Sequence, residues 1–277
     1  MEKVDILIST YNGEKYITEL LDSILSQSFK DFKIIIRDDC SDDNTVKIIN
    51  EYINKYPLKI CIINNDLVRL KPKNSFEALL KYSNAKYIMF CDQDDYWLPN
   101  KIEKTLIKMI EVEKEKPNLP VLICTDLIVV NNHLKILHKS FWNYSKINPK
   151  NVRDTYRLAI NNPVVGCTVM INNIAKNFVL PFPEKALMHD HWIALKISIY
   201  GHIAYLSEPS ILYRQHNYNE VGAKETNFKY YLKRIFSIEI LKQNIKVLKM
   251  LKVLDLNINY FKFFYLKLLI SFSKIKL

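Results

Sequence analysis

Residues 87–99, with the sequence YIMFCDQDDYWLP, contain the pattern that decides the fold. The apolar run 87–91 predicts a buried strand, and the acidic tetrapeptide Asp92-Gln93-Asp94-Asp95 follows it directly. Pro99 then stands before apolar residues at 102, 106 and 109, whose spacing predicts a helix. A strand that passes through a polar turn into a helix is the repeating unit of a parallel sheet covered by helices.

The same alternation of strand and helix precedes this stretch. Strands are predicted at residues 4–8, 33–36 and 58–63, and helices at 17–25, from 45 onward and at 75–82. Beyond a break at 117–120, the pattern predicts strands at 121–124, 127–130 and 163–172 and a helix at 186–200. We therefore predict an α/β fold in which a doubly wound, mostly parallel sheet is flanked by helices. One domain is expected to span residues 1–225, and a basic amphipathic helical tail residues 226–277.

The positive charge of the chain is concentrated near its C-terminal end. The 277 residues have a net charge of +11. Residues 228–277 contain eleven lysines and arginines but only two acids, Glu239 and Asp255, so this segment alone has a charge of +9. A nucleic-acid binder with a uniformly basic surface would not have this distribution. We therefore expect no nucleic-acid partner.

The scarcity of glycine excludes two common nucleotide-binding motifs. The four glycines stand at positions 13, 166, 201 and 222. A dinucleotide fingerprint needs three glycines within six residues, and a P-loop needs two. A bound nucleotide would therefore have to be held by carboxylates and a metal.

Cysteine usage and hydropathy predict a cytoplasmic protein. The five cysteines are odd in number and lack the spacing of a zinc or redox motif, which favours reduced thiols. The N-terminus lacks the pattern of a signal peptide. No run of about 18 uncharged apolar residues predicts a membrane-spanning helix.

The carboxyl ends of three predicted strands are unusually polar. The first is followed by Ser9, Thr10 and Tyr11, the second by the acid-rich segment 38–43, and the fourth by residues 92–95. Ligands of parallel α/β sheets bind at this edge. Asp and Ser are also ordinary turn and cap formers, which explains one or two acids in a turn. Because closely spaced carboxylates repel one another, acid clusters after two strands favour a divalent cation such as Mg²⁺ or Mn²⁺.

Three segments, residues 8–13, 37–45 and 90–99, resemble those of glycosyltransferase family 2 in sequence, order and spacing. The resemblance implies a GT-A fold, inverting transfer of a sugar and a Mn²⁺ or Mg²⁺ cofactor. It assigns nucleotide-binding positions to Ser9, Thr10, Tyr11, Asp39 and Asp92, and metal-binding positions to Asp94 and Asp92. Asp39 would accept the N3–H of uracil or thymine. Cys40 departs from the family pattern, which has Gly or Asn there.

An inverting transferase also needs a general base, and the resemblance places it at Asp190. Asp190 is alternatively the N-cap of the predicted helix. The flanking His189 and His191 would contact the acceptor or the sugar, or would pack in the core. Trp97 is a further candidate for contact with the acceptor or the sugar.

Two later segments resemble bacterial rhamnosyltransferases of surface polysaccharides. In residues 213–223, His216 would be a third metal ligand or a surface-loop residue, and Arg214 would bind the diphosphate or pair with an acid. In residues 161–168, Gly166 would let the backbone approach the sugar or acceptor, or form a tight turn.

These expectations combine into one functional hypothesis. The chain would transfer a sugar from a UDP- or dTDP-sugar, with dTDP-rhamnose among the donors, to a saccharide or lipid-linked saccharide in bacterial polysaccharide or lipopolysaccharide synthesis. The basic tail would bind an anionic membrane surface on the cytoplasmic side or pack on the domain.

Three other functions compete with this hypothesis. One is a metal hydrolase built on His189, His191 and His216. Another is a non-catalytic protein that binds nucleotide sugars or carbohydrates. The third is a nucleotidyltransferase, which would need a glycine-rich loop after the first strand.

Overall fold

The computed structural model describes residues 3–63, 68–215, 238–256 and 258–273. The strands of these ranges are β1 (Val4–Thr10), β2 (Phe32–Asp38), β3 (Ile60–Ile62), β4 (Tyr87–Asp92), β5 (Tyr96–Trp97), β6 (Val121–Val130), β7 (Ile136–His138), β8 (Met170–Asn172) and β9 (His202–Arg214). The helices are α1 (Ile17–Leu25), α2 (Thr45–Lys55), α3 (Lys71–Tyr82), α4 (Lys101–Glu115), α5 (Phe141–Tyr144), α6 (Thr155–Ile160), α7 (Asn173–Val179), α8 (His189–Tyr200), α9 (Ile238–Val253) and α10 (Tyr260–Ser273). Short 3-10 helices lie at Pro149–Arg153 and Gly166–Thr168.

The strands form one mixed sheet in the order β3-β2-β1-β4-β8-β6-β9-β5, with β7 paired to β6. Strands β1 to β4 are parallel to one another, and β6 and β9 are also a parallel pair. The antiparallel strand β8 lies between these two groups, so β6 and β9 run in the same direction as β1 to β4. The predicted α/β fold with a mostly parallel sheet and flanking helices is confirmed.

The register of the first strands brings their carboxyl ends together. Ser9 of β1 lies opposite Arg37 of β2 on one side and Asp92 of β4 on the other. Thr10 lies opposite Asp38. The polar ends of strands that are far apart in the sequence therefore meet at one edge of the sheet.

Alternating side chains of the central strands supply two separate cores. Ile6 and Ile8 of β1 pack into one core, and Leu7 between them packs into the other. All three side chains are fully buried. Each such burial contributes about 1.5–3 kcal/mol relative to exposure. Alternation with apolar residues on both faces is expected for strands covered by helices on both sides.

Two predicted boundaries differ from the structure because of turn chemistry. Helix α3 begins at Lys71, four residues before the predicted start, with Pro72 in its first turn. The predicted strand 163–172 is reduced to the three residues of β8, because a 3-10 turn occupies Gly166–Thr168.

Two strands of the second half also differ from the sequence prediction. β6 is continuous where two strands were predicted, with register shifts at Thr125 and Asp126. The 13-residue strand β9 was not predicted. It contains Glu208 and Pro209 at the point of irregular pairing, which hides its periodicity.

The two helices of the C-terminal segment pack on the α/β body. Met250, Leu251 and Phe263 are buried in the same core as Leu158 of α6. The predicted boundary between residues 225 and 226 lies outside the described residues. Within the described ranges, no helix has the length and apolar composition needed to cross a bilayer.

Candidate active site

A cavity of about 540 Å³ opens at the carboxyl edge of β1, β2 and β4. It is lined by ten of the predicted site residues, namely Ser9, Thr10, Tyr11, Asp39, Asp92, Asp94, Gly166, His189, Asp190 and His191. The parallel register accounts for the first six, and the start of α8 with the turn before β8 supplies the other four. The fold therefore brings the proposed nucleotide, metal and base positions into one space.

Hydroxyl groups at the end of β1 are fixed by neighbouring elements. The Ser9 hydroxyl donates to the Ser75 hydroxyl of α3 at 2.7 Å. The Thr10 hydroxyl donates to the Asp38 carboxylate at 2.8 Å, and Asp38 also accepts from the backbone N–H of Ser41 at 2.8 Å. Asp38 therefore organises the turn after β2 and leaves its neighbour Asp39 to face the cavity.

The Asp39 carboxylate is held by the start of α3 and by one arginine. Its Oδ1 accepts from Arg37 at 2.6 Å and from the backbone N–H of Leu70 at 2.7 Å. Its Oδ2 accepts from the backbone N–H of Lys71 at 2.8 Å. These donors fix the Asp39 carboxylate at a helix N-terminus, where the helix dipole favours negative charge.

Cys40, where the sequence departs from the Gly or Asn of the family pattern, has an unusual backbone conformation. Cys40 has a φ of 67°, in the left-handed region that favours glycine and asparagine. The Gly or Asn that the resemblance implies at this position would both fit this conformation. In this chain a cysteine adopts this conformation, which costs conformational energy for a residue with a Cβ.

Gln93 connects the acidic turn to the end of β1. Its side-chain oxygen accepts from the Tyr11 backbone N–H, and its side-chain amide donates to the Tyr11 carbonyl, both at 2.8 Å. A Cβ on Gly13 would lie 2.4 Å from the Gln93 oxygen. Gly13 therefore leaves room for this amide, which a Cβ would displace. This role of Gly13 was not predicted from the sequence, although a glycine directly after Tyr11-Asn12 at the end of β1 is a signal of close approach.

The three acids of the turn have different surroundings. Asp92 and Asp94 line the cavity, whereas Asp95 is completely buried. Neither Asp95 oxygen makes a hydrogen bond of ordinary geometry within the described residues, although the Cys167 thiol and the Arg214 backbone amide lie near it. Burial raises the pKa of Asp95 well above its ordinary value, and the charges of Asp94 and Asp92 raise it further.

The residues at this turn fit a divalent cation on the cavity side. Oxygen ligands at Asp92 and Asp94 suit Mg²⁺ or Mn²⁺. A tighter group, Asp92, Asp95 and Cys167, has ligand atoms within 4.8 Å of one another. That group is a poor match for such a metal, because Mg²⁺ and Mn²⁺ prefer oxygen ligands and the sulfur of Cys167 is a soft ligand. We therefore place the candidate site at Asp92 and Asp94. His216 lies outside the described residues.

Arg214 lies behind the acidic turn and does not line the cavity. Its guanidinium donates to the Asp94 carbonyl at 2.9 Å and to the Glu19 carboxylate at 2.5 Å. It is 2% exposed and stacks on the Tyr16 ring at 4.7 Å. Of its two predicted roles, this geometry matches pairing with an acid and not contact with the diphosphate. Arg214, the last residue of β9, thus holds the backbone of Asp94 in place.

Asp190 lies in the first turn of α8 and faces the cavity. The N-cap of this helix is Met188, so the alternative interpretation of Asp190 as the N-cap is wrong. Asp190 accepts from the backbone N–H of His191 at 2.6 Å. Burial raises the pKa of Asp190 to about 6, and backbone amides including that of Gly166 partly offset this effect. The carboxylate is therefore ionised at neutral pH but more basic than an exposed aspartate.

His189 is buried and packs between aromatic rings. Its ring lies 4.1 Å from that of Phe76 and 5.5 Å from that of Phe90, measured between centroids. Burial lowers its pKa to about 3, so the ring is neutral. Neither ring nitrogen has a hydrogen-bond partner within the described residues. A Cβ on Gly166 would lie 2.7 Å from the His189 Nε2, so this glycine makes room for the ring.

Two other predicted contacts have distinct environments. His191 lines the cavity, and burial lowers its pKa to about 4. Trp97 has no exposed surface and does not line the cavity, so its prediction as an acceptor or sugar contact is wrong. The reason is its position in β5, where the indole packs in the core with the buried Lys101 ammonium 4.6 Å from the ring.

The cavity also includes residues that the sequence did not indicate. Arg69 stacks its guanidinium 3.6 Å above the Tyr11 ring and lies 3.9 Å from the Asp39 carboxylate. Asn244 and Lys267 reach the cavity from α9 and α10. These three come from a segment before α3 and from the tail, where no motif marks them.

Residues 5–174 match the sequence model of Glycosyl transferase family 2. This match covers more than half of the chain. The chain belongs to glycosyltransferase family 2. The matched range includes the acidic turn and Asp39 and ends before Asp190, so the base position is supported by geometry and not by the family match.

Three relatives of this family 2 chain are named as bacterial sugar transferases. The dTDP-rhamnosyl transferase RfbG of Shigella flexneri is 30% identical over 247 residues, covering 82% of this chain and 78% of that protein. The poly(ribitol-phosphate) beta-N-acetylglucosaminyltransferase TarS of Staphylococcus aureus is 40% identical over 99 residues, covering 35% of this chain but only 17% of TarS. The UDP-Glc:alpha-D-GlcNAc-diphosphoundecaprenol beta-1,3-glucosyltransferase WfaP of Escherichia coli is 40% identical over 114 residues, covering 41% of this chain and 43% of WfaP.

Solved structures support the fold of this family 2 chain. Residues 1–349 of S. aureus TarS in complex with UDP-GlcNAc superpose with a TM-score of 0.58 at 21% identity, over 90% of this chain and 71% of that one. The mannosyltransferase PcManGT of Pyrobaculum calidifontis, in complex with GDP-Man and Mn²⁺, superposes with a TM-score of 0.57 at 15% identity, over 93% of this chain and 65% of that one.

Proposed function

We propose that this chain is an inverting, metal-dependent glycosyltransferase that moves a sugar from a UDP- or dTDP-sugar to a saccharide acceptor of a bacterial surface polysaccharide or lipopolysaccharide. The observation that carries the proposal is the shared cavity. Asp39, Asp94 and Asp190 line it together although they come from three distant parts of the sequence.

The nucleoside would lie along the end of β1 and over the turn after β2. Asp39 is held as an acceptor by backbone amides of α3, and it would receive the N3–H of uracil or thymine. The Tyr11 ring offers a face for the base, and Arg69 covers that ring in this structure. Ser9 and Thr10 would contact the ribose or the base.

Asp92 and Asp94 would hold Mn²⁺ or Mg²⁺, with His216 as a further ligand. When bound, the metal would neutralise the charge that develops on the departing diphosphate. The chain's own part is to present the two carboxylates rigidly. Gln93, which stands between the two acids, binds the Tyr11 backbone, and Arg214 binds the Asp94 carbonyl.

Asp190 would act as general base. It removes the proton from the acceptor hydroxyl while that oxygen forms a bond to the anomeric carbon. The bond from the anomeric carbon to the diphosphate oxygen breaks, and the nucleoside diphosphate leaves from the opposite face. A pKa of about 6 makes Asp190 ionised at pH 7 and a stronger base than an ordinary aspartate.

His189 would position the acceptor or the transferred sugar. Its ring is neutral at pH 7, so one nitrogen can donate a hydrogen bond to a hydroxyl and the other can accept one. The ring is fixed by Phe76 and Phe90, and its nitrogens have no partner within the described part of the chain. Hydroxyl groups of a saccharide would provide such partners.

We further propose that the tail brings the enzyme to a cytoplasmic membrane surface. Exposed apolar residues on the outer face of α9 and α10 include Leu241, Ile245, Phe261, Tyr265 and Leu269. Lysines lie among them, as in helices that bind anionic lipid surfaces. Vesicles of anionic lipid should bind the protein and should release it as salt is raised. Binding that does not respond to salt, or no binding, would contradict this part of the proposal.

The competing functions leave observations unexplained. A hydrolase built on histidines would not account for Asp39, Asp92 and Asp94 in the same cavity. Zinc content of the purified protein distinguishes it from the transferase. A non-catalytic binding protein would not need a carboxylate with a raised pKa at position 190.

Thermal-shift screening of nucleotide sugars with and without Mn²⁺ tests the proposal and identifies the donor. UDP- or dTDP-sugars should raise the melting temperature only in the presence of the metal, and purine nucleotides should not. dTDP-rhamnose is the first donor to test because of the match to RfbG. Transfer that persists in Asp94→Ala would overturn the metal assignment.

A further inference from the structure

The neighbours of Gly166, and not its backbone conformation, require a glycine at this position. Its φ lies outside the left-handed region, and it opens the short 3-10 helix Gly166–Thr168. Residues with a side chain adopt such a conformation without strain. A Cβ at this position, however, would lie 2.7 Å from Nε2 of His189 and 3.6 Å from Cβ of Asp190. The missing side chain therefore makes room for the start of α8, where the proposed base lies.

Hydrogen bonds fix the turn around Gly166 to the strand that leads to the proposed metal site. The Thr168 hydroxyl and backbone N–H both donate to the Val165 carbonyl, at 2.7 and 2.9 Å. The Val169 N–H donates to the Gly166 carbonyl at 3.1 Å, and the Val169 carbonyl accepts from the Phe90 N–H of β4 at 3.4 Å. Because β4 ends in the acidic turn, Gly166 has a fixed position relative to that turn.

The start of α8 is held by packing instead of a side-chain cap. Its N-cap residue is Met188, whose side chain makes no capping hydrogen bond. The next residue, His189, is 3% exposed. Its ring centroid lies 4.1 Å from that of Phe76 in α3 and 5.5 Å from that of Phe90 in β4. The His189 ring thus holds the residue directly before Asp190 against β4.

Asp190 contacts both of these fixed groups. It follows His189 in the chain, and its carboxylate accepts from the backbone N–H of Gly166. Burial raises the pKa of Asp190, these backbone N–H donors lower it, and no charged side chain of the described residues contributes. The rings of His189 and His191 on either side are neutral, because burial lowers the pKa of each to about 3 and about 4. The orientation of the Asp190 carboxylate therefore depends on the Gly166 backbone and the His189 ring.

We propose that Gly166 and His189 form a positioning pair, which fixes Asp190 relative to the strand that carries the metal site. The His189 ring occupies the space that a side chain at position 166 would need, and this close approach lets the Gly166 N–H reach the carboxylate. Neither residue transfers the proton in this role. The inference rests on the proposed function, because it needs Asp190 as the general base.

A double-mutant cycle of Gly166→Ala and His189→Ala tests this pair. The methyl group of Gly166→Ala should displace the start of α8, so kcat should fall by about 10- to 100-fold, because misplacement of a reacting group by about 1 Å has an effect of this size. The KM for the donor should stay within about threefold, because binding at Asp39 and Asp94 is not altered. His189→Ala should also lower kcat. In that background Gly166→Ala should cause less than about a twofold further loss, because the ring that the methyl group would strike is absent.

The same substitution at the other end of α8, Gly201→Ala, is the matched control. A Cβ there would lie 2.1 Å from the Pro120 carbonyl oxygen, so stability in urea should fall. The kcat per folded molecule should nevertheless stay within about twofold of the parent. The pH profile of kcat separates positioning from folding. In Gly166→Ala its acid limb near pH 6 should move to higher pH, because a donor that favours the ionised carboxylate is lost, whereas Gly201→Ala should leave it in place.

Several outcomes would overturn the inference. They include an unchanged kcat in Gly166→Ala, an acid limb that does not move, and an equal loss of kcat per folded molecule in Gly201→Ala. Equal losses from Gly166→Ala in the parent and in His189→Ala would show that the two residues do not act as a pair. If Gly166→Ala abolished the thermal shift with UDP and Mn²⁺, the damage would lie in the whole fold and not at the base. Full transfer by Asp190→Asn, or no transfer by the parent protein, would instead count against the proposed function.

Discussion

Replacing Asp190 by asparagine should abolish transfer and stabilise the protein at the same time. Asparagine keeps the shape of the side chain and an oxygen that accepts the His191 backbone N–H, which donates to Asp190 at 2.6 Å. It cannot take up a proton from the acceptor. Loss of a general base lowers the rate by roughly 10² to 10⁴. We expect kcat to fall by that factor while the affinity for the donor stays within about threefold.

The stability gain follows from the pKa of Asp190. Burial raises this pKa from 3.8 to about 6. Because the folded-state pKa is higher than the unfolded one, the contribution of Asp190 to stability is complete below pH 4 and is lost as pH rises through 6. A shift of about two pKa units corresponds to ~3 kcal/mol. Asp190 is only half-buried, so we expect Asp190→Asn to gain about 1–2 kcal/mol at pH 8.

Urea unfolding followed by tryptophan fluorescence at pH 4 and pH 8 measures this effect. The difference between variant and parent should be near zero at pH 4 and should reach its full size above pH 7. Asp154→Asn is the matched control, because this exposed N-cap of α6 works equally well as asparagine. An Asp190→Asn variant that retains transfer within threefold would refute the role of base. A stability difference that is the same at both pH values would refute the raised pKa.

Four further variants test the parts that surround the base. Gly13→Ala should reduce transfer at least tenfold by displacing the amide of Gln93. In a Gln93→Ala background the same change should cause a smaller additional loss. Equal losses in both backgrounds would contradict a clash between the new Cβ and the Gln93 side chain. Arg214→Lys should weaken Mn²⁺ activation by about tenfold, measured by metal titration, because lysine cannot bridge the backbone and acid partners of arginine. Cys40→Gly should leave activity unchanged and raise stability by up to about 1 kcal/mol in urea unfolding, and a lower stability would argue against strain at this φ of 67°. Asp94→Asn should remove the Mn²⁺-dependent part of the thermal shift with UDP, whereas an unchanged shift would place the metal elsewhere.

The features that the sequence predicted correctly depend on short-range patterns. β1, β2 and β4 were predicted because their apolar runs are bounded by polar turns. Parallel pairing then determines that Ser9 and Asp92 lie side by side. The edge of the sheet that forms the cavity could therefore be inferred without coordinates.

The features that were missed depend on contacts between distant segments. β9 has no clean alternation, because its pairing with β6 is irregular around Pro209. The position of Lys267 is set by packing of α10 on α6, and its sequence context is that of any amphipathic helix. Trp97 belongs to a conspicuous motif, yet its buried location depends on the pairing of β5 with β9.

Gln93 and Arg214 hold the acidic turn, residues 92–95, in its position. Three carboxylates within four residues repel one another. Burial raises the pKa of Asp95 well above its ordinary value, and the charges of Asp94 and Asp92 raise it further. Two hydrogen bonds between the Gln93 side chain and the Tyr11 backbone, and one from Arg214 to the Asp94 carbonyl, oppose this repulsion by holding the backbone of the turn in place. Since Gln93 binds the end of β1 and Arg214 ends β9, the turn is held from both halves of the sheet. A metal at Asp92 and Asp94 would therefore stabilise the association of the two halves, and its removal should lower the unfolding temperature of the whole body.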